Sequence, residues 1–179
     1  MNIYFDTEFT GLHKNTSLIS IGMITSDGDK FYAEIVDYDR SQLNDWLKEN
    51  VINNLWSVSK TIGECCQYNY YHVGTKRQIA EELKKWLSKF EHVQFVSDVC
   101  HYDMVLLIDL FGGAFDMPSN ISPVCYDINQ DIAKFLNISQ VEAFDVNREC
   151  LLGICESKVK HNALYDAEII RMLYNLMND

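Results

Sequence analysis

The chain opens with a β-type hydrophobic pattern. Residues 2–6 form a short run of β-branched and aromatic residues, and residues 17–25 form a second, longer run. Residues 26–29 contain an Asp-Gly pair, which is typical of a tight hairpin turn, and a third run follows at residues 30–36. The pattern therefore predicts three antiparallel strands at the start of the domain.

From about residue 40 to residue 90 the pattern takes a helical period, with apolar residues three and four positions apart. Two stripes have this spacing: Leu43, Trp46 and Leu47, and then Ile79, Leu83, Trp86, Leu87 and Phe90. We predict that both stripes face the core. The aromatic segment 68–72 is interpreted as ordinary packing in preference to a base-stacking loop.

Strands and helices alternate in the second half of the chain. Residues 93–96 are predicted as a fourth strand, and residues 102–111 as a helix that ends at a Gly-Gly pair. A short fifth strand at 124–126 and a helix near 128–137 follow. The last helix, about Ala163 to Met177, is expected to bury Ile169, Ile170, Leu173, Leu176 and Met177. These elements predict an α/β domain with a mixed β-sheet flanked by α-helices.

Composition favours one domain over residues 1–179. The 47% hydrophobic content is enough for a full core, and no linker, repeat or low-complexity tract divides the sequence. The net charge of −11 argues against nonspecific electrostatic binding of nucleic acid over a broad surface, because such affinity comes mainly from Lys and Arg. A short single strand, however, needs only a local track of phosphate contacts.

The six cysteines lack the paired spacing of a zinc site, and reduced thiols in a cytoplasmic protein are the expected state. They are Cys65, Cys66, Cys100, Cys125, Cys150 and Cys155. The N-terminus has no signal-peptide pattern, and no apolar run approaches the roughly 18 residues of a membrane span. Secretion and membrane insertion are not expected.

Acidic residues at three points of the chain suggest metal-dependent chemistry. Asp6 and Glu8 are two apart, so on a strand they point to the same side, and Asp103 falls in the first turn of a predicted helix. His161 precedes Asp166 by five residues at the start of the last helix. Carboxylates are the ligands that Mg²⁺ and Mn²⁺ prefer, and two such ions about 3.5 to 4 Å apart promote phosphodiester hydrolysis. A histidine with a pKa near 6.5 is a plausible general base.

These motifs, taken in order, resemble the DEDDh branch of 3′-5′ exonucleases, which share an RNase H-like fold. Residues 6–12, Asp-Thr-Glu-Phe-Thr-Gly-Leu, are similar to the first motif of that branch, and Asp103 follows an aromatic residue as in the second. His161 and Asp166 match the third motif in type and spacing. The size, the opening motif and the early hairpin also resemble small RNase AS-like exoribonucleases.

The resemblance implies a role for each of these residues. Asp6, Glu8, Asp103 and Asp166 would hold two divalent ions, Mg²⁺ or Mn²⁺, with Asp6 bridging both, and His161 would act as the base. The implied activity is removal of 5′-mononucleotides from the 3′ end of a single strand. Relatives are often homodimers, so the resemblance also allows a homodimer.

Substrate contacts are implied at the first motif. Thr7, Phe9 and Leu12 would lie against the terminal nucleotide, with Leu12 packing on the base. Phe9 stands where the family usually has threonine, so a contact that depends on that hydroxyl is not expected here, and the aromatic ring could instead stack or wedge. Lys158 and Lys160 flank the histidine and either contact phosphates or are solvated loop residues.

Several alternatives stay open at this stage. Asp98 competes with Asp103 as the mid-chain carboxylate, and Asp103 is preferred. RNA is favoured as substrate over DNA, but proofreading and phage DNA exonucleases share the same five residues. The other two alternatives are a catalytically silent nucleic-acid-binding module and a phosphodiesterase for small nucleotides.

Overall fold

A computed structural model describes residues 1–59, 68–154 and 160–178. Within these ranges six strands form one sheet in the order β4-β3-β2-β1-β5-β6. They are β1 (Asn2–Phe9), β2 (Leu18–Thr25), β3 (Lys30–Ile35), β4 (Tyr71–Gly74), β5 (Gln94–Ser97) and β6 (Tyr126–Asp127). The first three strands are antiparallel, whereas β4, β5 and β6 each join a neighbour in parallel. The predicted mixed sheet is confirmed.

The helices of the described residues lie on both faces of this sheet. They are α1 (Asp45–Asn50), α2 (Trp56–Ser59), α3 (Lys76–Leu87), α4 (His101–Phe111), α5 (Asn129–Leu136), α6 (Gln140–Asp145), α7 (Arg148–Leu151) and α8 (Ala163–Asn178). Short 3₁₀ turns occur at Arg40–Gln42, Ile52–Asn54 and Ala114–Asp116.

Alternation along the central strand β1 divides the core into two layers. Ile3 and Phe5 pack on one face against residues of α3 and α4. Tyr4 points to the opposite face, where it packs with residues of α5 and α8. Because side chains alternate along a strand, Asp6 and Glu8 continue the face of Tyr4, which is the face that α8 covers.

The first turn of α8 rests directly on the backbone of β2. A Cβ atom placed on Gly22 would lie only 2.2 Å from the backbone nitrogen of Leu164 and 2.3 Å from the carbonyl carbon and oxygen of Ala163. Gly22 is also the register partner of Asp6. A residue without a side chain at this position therefore lets the helix approach the sheet beside the acidic pair.

Several predicted elements are confirmed at their ends. Gly28 adopts φ 97° in the turn between β2 and β3, and Gly112 ends α4 with the same φ of 97°. Asp103 lies in the first turn of α4, as predicted. His161 precedes α8, and Asp166 lies one turn inside that helix.

Three expectations were wrong. Residues 40–90 are not helical throughout, because Tyr71–Gly74 forms a strand whose Tyr71 and His72 rings stack on Tyr32 and Phe31 of β3. Trp46 does not face the core: it is 54% exposed and contacts the imidazole of His161. Leu176 is 48% exposed, although Leu173 and Met177 of the same turns pack against the core.

The described cysteines and helices bear on two further expectations. Cys100, Cys125 and Cys150 are free thiols, and the other three cysteines lie outside the described residues. Within residues 1–59, 68–154 and 160–178, no helix is both long enough and apolar enough to cross a membrane.

We predict that Gly22→Ala destabilises the protein by at least about 2 kcal/mol, because the new methyl group meets backbone atoms that cannot rotate away. Gly153→Ala is the matched control. Its added methyl meets nothing within 4 Å, so only the cost of its positive φ of 70° remains, about 1 kcal/mol. Urea unfolding of the two variants tests this, and equal losses would contradict it.

Candidate active site

Asp6 and Glu8 bring two carboxylates of β1 to one cavity. The cavity has a volume of about 380 Å³, and its lining also includes Asp98, His161 and Asp166. Glu8 is 9% exposed. The strand register shifts between Glu8 and Phe9, so the regular pairing with β2 is interrupted as the chain leaves the acidic pair. The predicted pair thus lies on the face and at the strand end expected from its spacing.

The start of α8 supplies the histidine and the third carboxylate. The backbone N–H of His161 donates to Oδ2 of Asp166 at 3.0 Å. The imidazole Nδ1 of His161 lies 3.9 Å from Oε1 of Glu8. Ligand atoms of Glu8, His161 and Asp166 lie within 4.8 Å of one another, close enough to share a metal ion. Residues at opposite ends of the sequence therefore meet at one point.

Asp103 approaches from the opposite layer and is held firmly in place. It is 4% exposed and accepts hydrogen bonds at Oδ1 from the backbone N–H of Thr7 (3.0 Å) and from the Thr7 hydroxyl (2.6 Å). Its Oδ2 accepts from the hydroxyl of Ser97 at 2.5 Å. These hydrogen bonds connect α4 to β1 and β5. The negative charge of Asp103 also raises the pKa values of Asp6 and Glu8.

Asp98, the competing mid-chain carboxylate, lines the cavity but is already paired. Both of its oxygens accept from Arg148, at 2.6 Å from Nε and 2.9 Å from Nη2. The same guanidinium donates to the carbonyls of Ala143, Phe144 and Val146 and to the side chain of Asn129. Asp98 and Arg148 thus fasten the segment between α6 and α7 to the end of β5.

Burial and mutual repulsion disfavour the charged forms of the acidic cluster. Desolvation is the largest cause that raises the pKa of Asp6 well above its ordinary value, and the charges of Asp103 and Asp166 add to it. Desolvation likewise raises the pKa of Glu8, and it raises the pKa values of Asp103 and Asp166 to about 7. A bound cation would reverse this balance, so the donor set fits divalent ions.

The imidazole of His161 has the opposite tendency. Desolvation is the main cause that lowers its pKa, the positive charge of Lys160 lowers it further, and the charge of Glu149 acts in the other direction. The neutral ring, which can accept a proton, is therefore favoured at neutral pH. The Trp46 indole contacts the same ring in a T-shaped arrangement, with ring centroids 5.1 Å apart.

The predicted substrate-binding residues occupy different settings. Phe9 and Lys160 line the cavity. Thr7 also lines it, but its side chain is 4% exposed and its hydroxyl donates to Asp103. Leu12 is 71% exposed and does not belong to the cavity lining. Lys158 lies outside the described residues.

Sequence reasoning missed the opposite wall of the cavity. Phe144, Val146, Asn147, Arg148 and Glu149 form this wall. Ser139 and Glu142 form a capping box that could have indicated α6, because a serine followed three residues later by a glutamate is a helix-start signal. No comparable local signal indicates that Arg148 pairs with Asp98, since the partners are 50 residues apart.

A mixed sheet with a carboxylate cluster at the ends of β1 and β5 is the arrangement of an RNase H-like nuclease. The family model described as "3′-5′ exoribonuclease Rv2179c-like domain" matches residues 1–177. The chain belongs to this family. The expectation of a 3′-5′ exonuclease enzyme is confirmed, with RNA as the nucleic acid of the family.

Individual relatives agree with this assignment. Two curated proteins from strains of Mycobacterium tuberculosis, each named a 3′-5′ exoribonuclease, are 24% identical over 132 residues, which is 73% of this chain and 73% of each relative. The fold is similar to that of the nuclease domain of 3′hExo, a DEDDh family member bound to rAMP. The TM-score is 0.67 at 14% identity, with 98% of this chain and 90% of that chain covered.

A second solved structure concerns recognition of a histone mRNA stem-loop by a 3′-exonuclease. It gives a TM-score of 0.67 at 13% identity and covers 98% of this chain and 62% of that chain. At these identities the two structures establish similarity of fold.

We predict that the metal-free protein loses stability as pH rises from about 4 to about 7. Asp103 and Asp166 keep their protons to about pH 7 when folded, whereas an unfolded aspartate releases its proton near pH 3.8. The folded state then binds more protons, so the free energy of unfolding falls by about 1.4 kcal/mol per pH unit for each excess proton. Urea unfolding in EDTA across this range measures the slope.

Variants test the origin of that slope. Asp6→Asn removes a carboxyl group whose own pKa is raised well above its ordinary value, so it should flatten the fall in stability with pH. Asp109→Asn, at a carboxylate whose side chain is 63% exposed, should leave that fall unchanged. Added Mg²⁺ or Mn²⁺ should restore stability most at high pH. A stability that rises from pH 5 to pH 7 in EDTA would contradict the prediction.

We also predict that Arg148→Met costs about 3 kcal/mol of stability, because it leaves the carboxylate of Asp98 largely buried without its partner. The double variant Asp98→Asn with Arg148→Met should be more stable than Arg148→Met alone. Denaturant unfolding of the wild type, both single variants and the double variant measures this coupling. Additive losses would contradict it.

Proposed function

We propose that this chain folds as one exonuclease domain, which removes 5′-mononucleotides from the 3′ end of single-stranded RNA with the help of two divalent ions, Mg²⁺ or Mn²⁺. The observation that carries the proposal is the convergence of Asp6, Glu8, Asp166 and His161 on one cavity. Asp103 does not line the cavity, but it accepts hydrogen bonds from Thr7, the residue between Asp6 and Glu8, and its charge acts on both of them. The match of the family model to residues 1–177 supports the single domain.

The acidic residues are proposed to hold the ions. Four carboxylates with raised pKa values form a donor set of hard oxygen ligands that is unfavourable without positive charge. When bound, the ions would supply charge compensation for the scissile phosphate and activation of water. Asp103, fixed by Thr7 and Ser97, is proposed to complete the set from behind the strand.

His161 is proposed to accept the proton of the attacking water. Its lowered pKa keeps the imidazole neutral, and its position 3.9 Å from a Glu8 oxygen places it beside the acidic cluster. His161 also fixes Asp166 through its backbone N–H, so the same loop residue positions a carboxylate and presents a base.

The cavity lining supports a short single strand as substrate. Phe9, Val99, Phe144 and Val146 offer apolar surface that suits a nucleobase, and Lys160 is an exposed cation at the same cavity. Arg148 also lines the cavity, but its donors are occupied by Asp98, Asn129 and backbone carbonyls. Because Lys160 is the one exposed cation among the described lining residues, binding should depend strongly on the ions.

Digestion of a 5′-labelled single-stranded oligoribonucleotide tests the proposal. We expect a ladder of products shortened from the 3′ end with Mg²⁺ or Mn²⁺, and none in EDTA. Asp6→Asn should abolish the ladder, and His161→Asn should lower kcat by about 100-fold to 10,000-fold because general-base assistance is lost. Asp109→Asn is the matched control and should keep full activity, since its side chain is 63% exposed.

Three results of the same assay would each contradict one part of the proposal. Full activity in Asp6→Asn would reject the metal site, and full activity in His161→Asn would reject the base. A DNA strand of the same sequence tests the sugar, because discrimination must come from contacts to the 2′-hydroxyl. Equal rates on RNA and DNA would reject the preference for RNA and leave the mechanism intact.

A further inference from the structure

His161 has a backbone conformation that its surroundings must maintain. Its φ is 64°, in the left-handed region that residues other than glycine seldom adopt. The residue lies in the loop just before α8, and its side chain is 33% exposed. Because a histidine backbone does not favour this conformation by itself, contacts around the loop must hold it in place.

Asn54 contacts the loop on both sides of His161. Its Nδ2 donates to the carbonyl of Lys160, the residue before the histidine, at 2.7 Å. Its own backbone carbonyl accepts from Nδ2 of Asn162, the residue after the histidine, at 3.0 Å. The second hydrogen of the Asn54 amide donates to the carbonyl of Asn50 at 2.7 Å, which fixes the side chain to the end of α1. One residue thus binds both neighbours of His161.

Asn162, which bonds to the backbone carbonyl of Asn54, is itself held by hydrogen bonds in the core. Asn162 is 4% exposed, and its Nδ2 also donates to the Tyr32 hydroxyl at 3.1 Å. Tyr32 in turn donates to Glu34 at 2.9 Å, and Glu34 is 2% exposed and accepts from the backbone N–H of Trp56 at 2.6 Å. The loop therefore connects to β3 and α2 through the buried side chains of Asn162, Tyr32 and Glu34.

The imidazole itself contacts the same helical segment. Trp46, in α1, meets the His161 ring at an angle of 72° between the ring planes. The segment from α1 to the 3₁₀ turn at Ile52–Asn54 therefore supports both the backbone and the ring of the histidine.

We infer that Asn54 is a positioning residue for His161: through Lys160 and Asn162 it holds the imidazole beside the acidic cluster. The inference rests on the proposed role of His161 as the base. Asn54 itself does not line the cavity, so it acts through the loop and not by contact with substrate. Misplacement of a reacting group by about 1 Å can lower a rate about 100-fold.

Asn54→Asp is the sharpest test, because it keeps the shape of the side chain and removes both donors. We expect kcat on a 5′-labelled single-stranded oligoribonucleotide with Mg²⁺ to fall by about 10-fold to 100-fold, with KM changed by less than about 3-fold. The matched control is Asn53→Asp, an exposed neighbour in the same turn that acquires the same charge. It should keep the wild-type kcat. A wild-type kcat in Asn54→Asp would overturn the inference.

A double-variant comparison separates positioning from a general structural role. The His161→Asn background removes the imidazole and keeps a residue that tolerates a positive φ. In this background, Asn54→Asp should change the residual kcat by less than about 2-fold. A loss as large as in the wild-type background would overturn the inference. If His161→Asn alone had full activity, the proposed base itself would be rejected, which is a different result.

Folding is followed separately by circular dichroism and thermal unfolding of every variant. Should Asn54→Asp fail to fold, Asn54→Ala removes the same donors without adding charge and is tested in both backgrounds. The expected fall in kcat and its absence in the His161→Asn background are the same. An unchanged kcat in Asn54→Ala would likewise overturn the inference.

Discussion

The close contact between the first turn of α8 and the backbone of β2 at Gly22 is the constraint on which the site depends. Gly22 is the register partner of Asp6, and a side chain at this position would overlap the backbone of Ala163 and Leu164. The contact sets how near Asp166 comes to the acidic pair of β1. It also sets the starting point of the loop that carries His161, so one absent side chain determines the geometry of residues at both ends of the chain.

The acidic cluster opposes folding, and the fold compensates for it locally. Burial raises the pKa values of all four carboxylates, and the charges of Asp103 and Asp166 raise those of Asp6 and Glu8 further. The structure restrains two of them with directed donors: Thr7 and Ser97 donate to Asp103, and the His161 backbone N–H donates to Asp166. Repulsion that destabilises the metal-free protein is the same property that makes the site attractive to divalent cations.

Much of the fold could be predicted from local pattern, and the exceptions have physical reasons. The hairpin at Gly28 and the helix end at Gly112 were predictable because each needs a backbone conformation that glycine favours. The strand at Tyr71–Gly74 was not, because a short aromatic segment becomes a strand only by pairing with β3. Trp46 has core-like helical spacing, yet it contacts His161, and spacing alone cannot distinguish the two environments.

For the site, the sequence by itself determined which side chains are available and in what order: Asp6 and Glu8 on one strand face, and His161 five residues before Asp166 at the start of the last helix. Both relations are short range, and the first follows from the period of a strand. The pairing of Asp98 with Arg148, the support of Asp103 by Thr7, and the hold of Asn54 on the histidine loop were decided only by the tertiary structure. Their partners lie 50 to 106 residues apart, and no local preference of the chain encodes contacts over such distances.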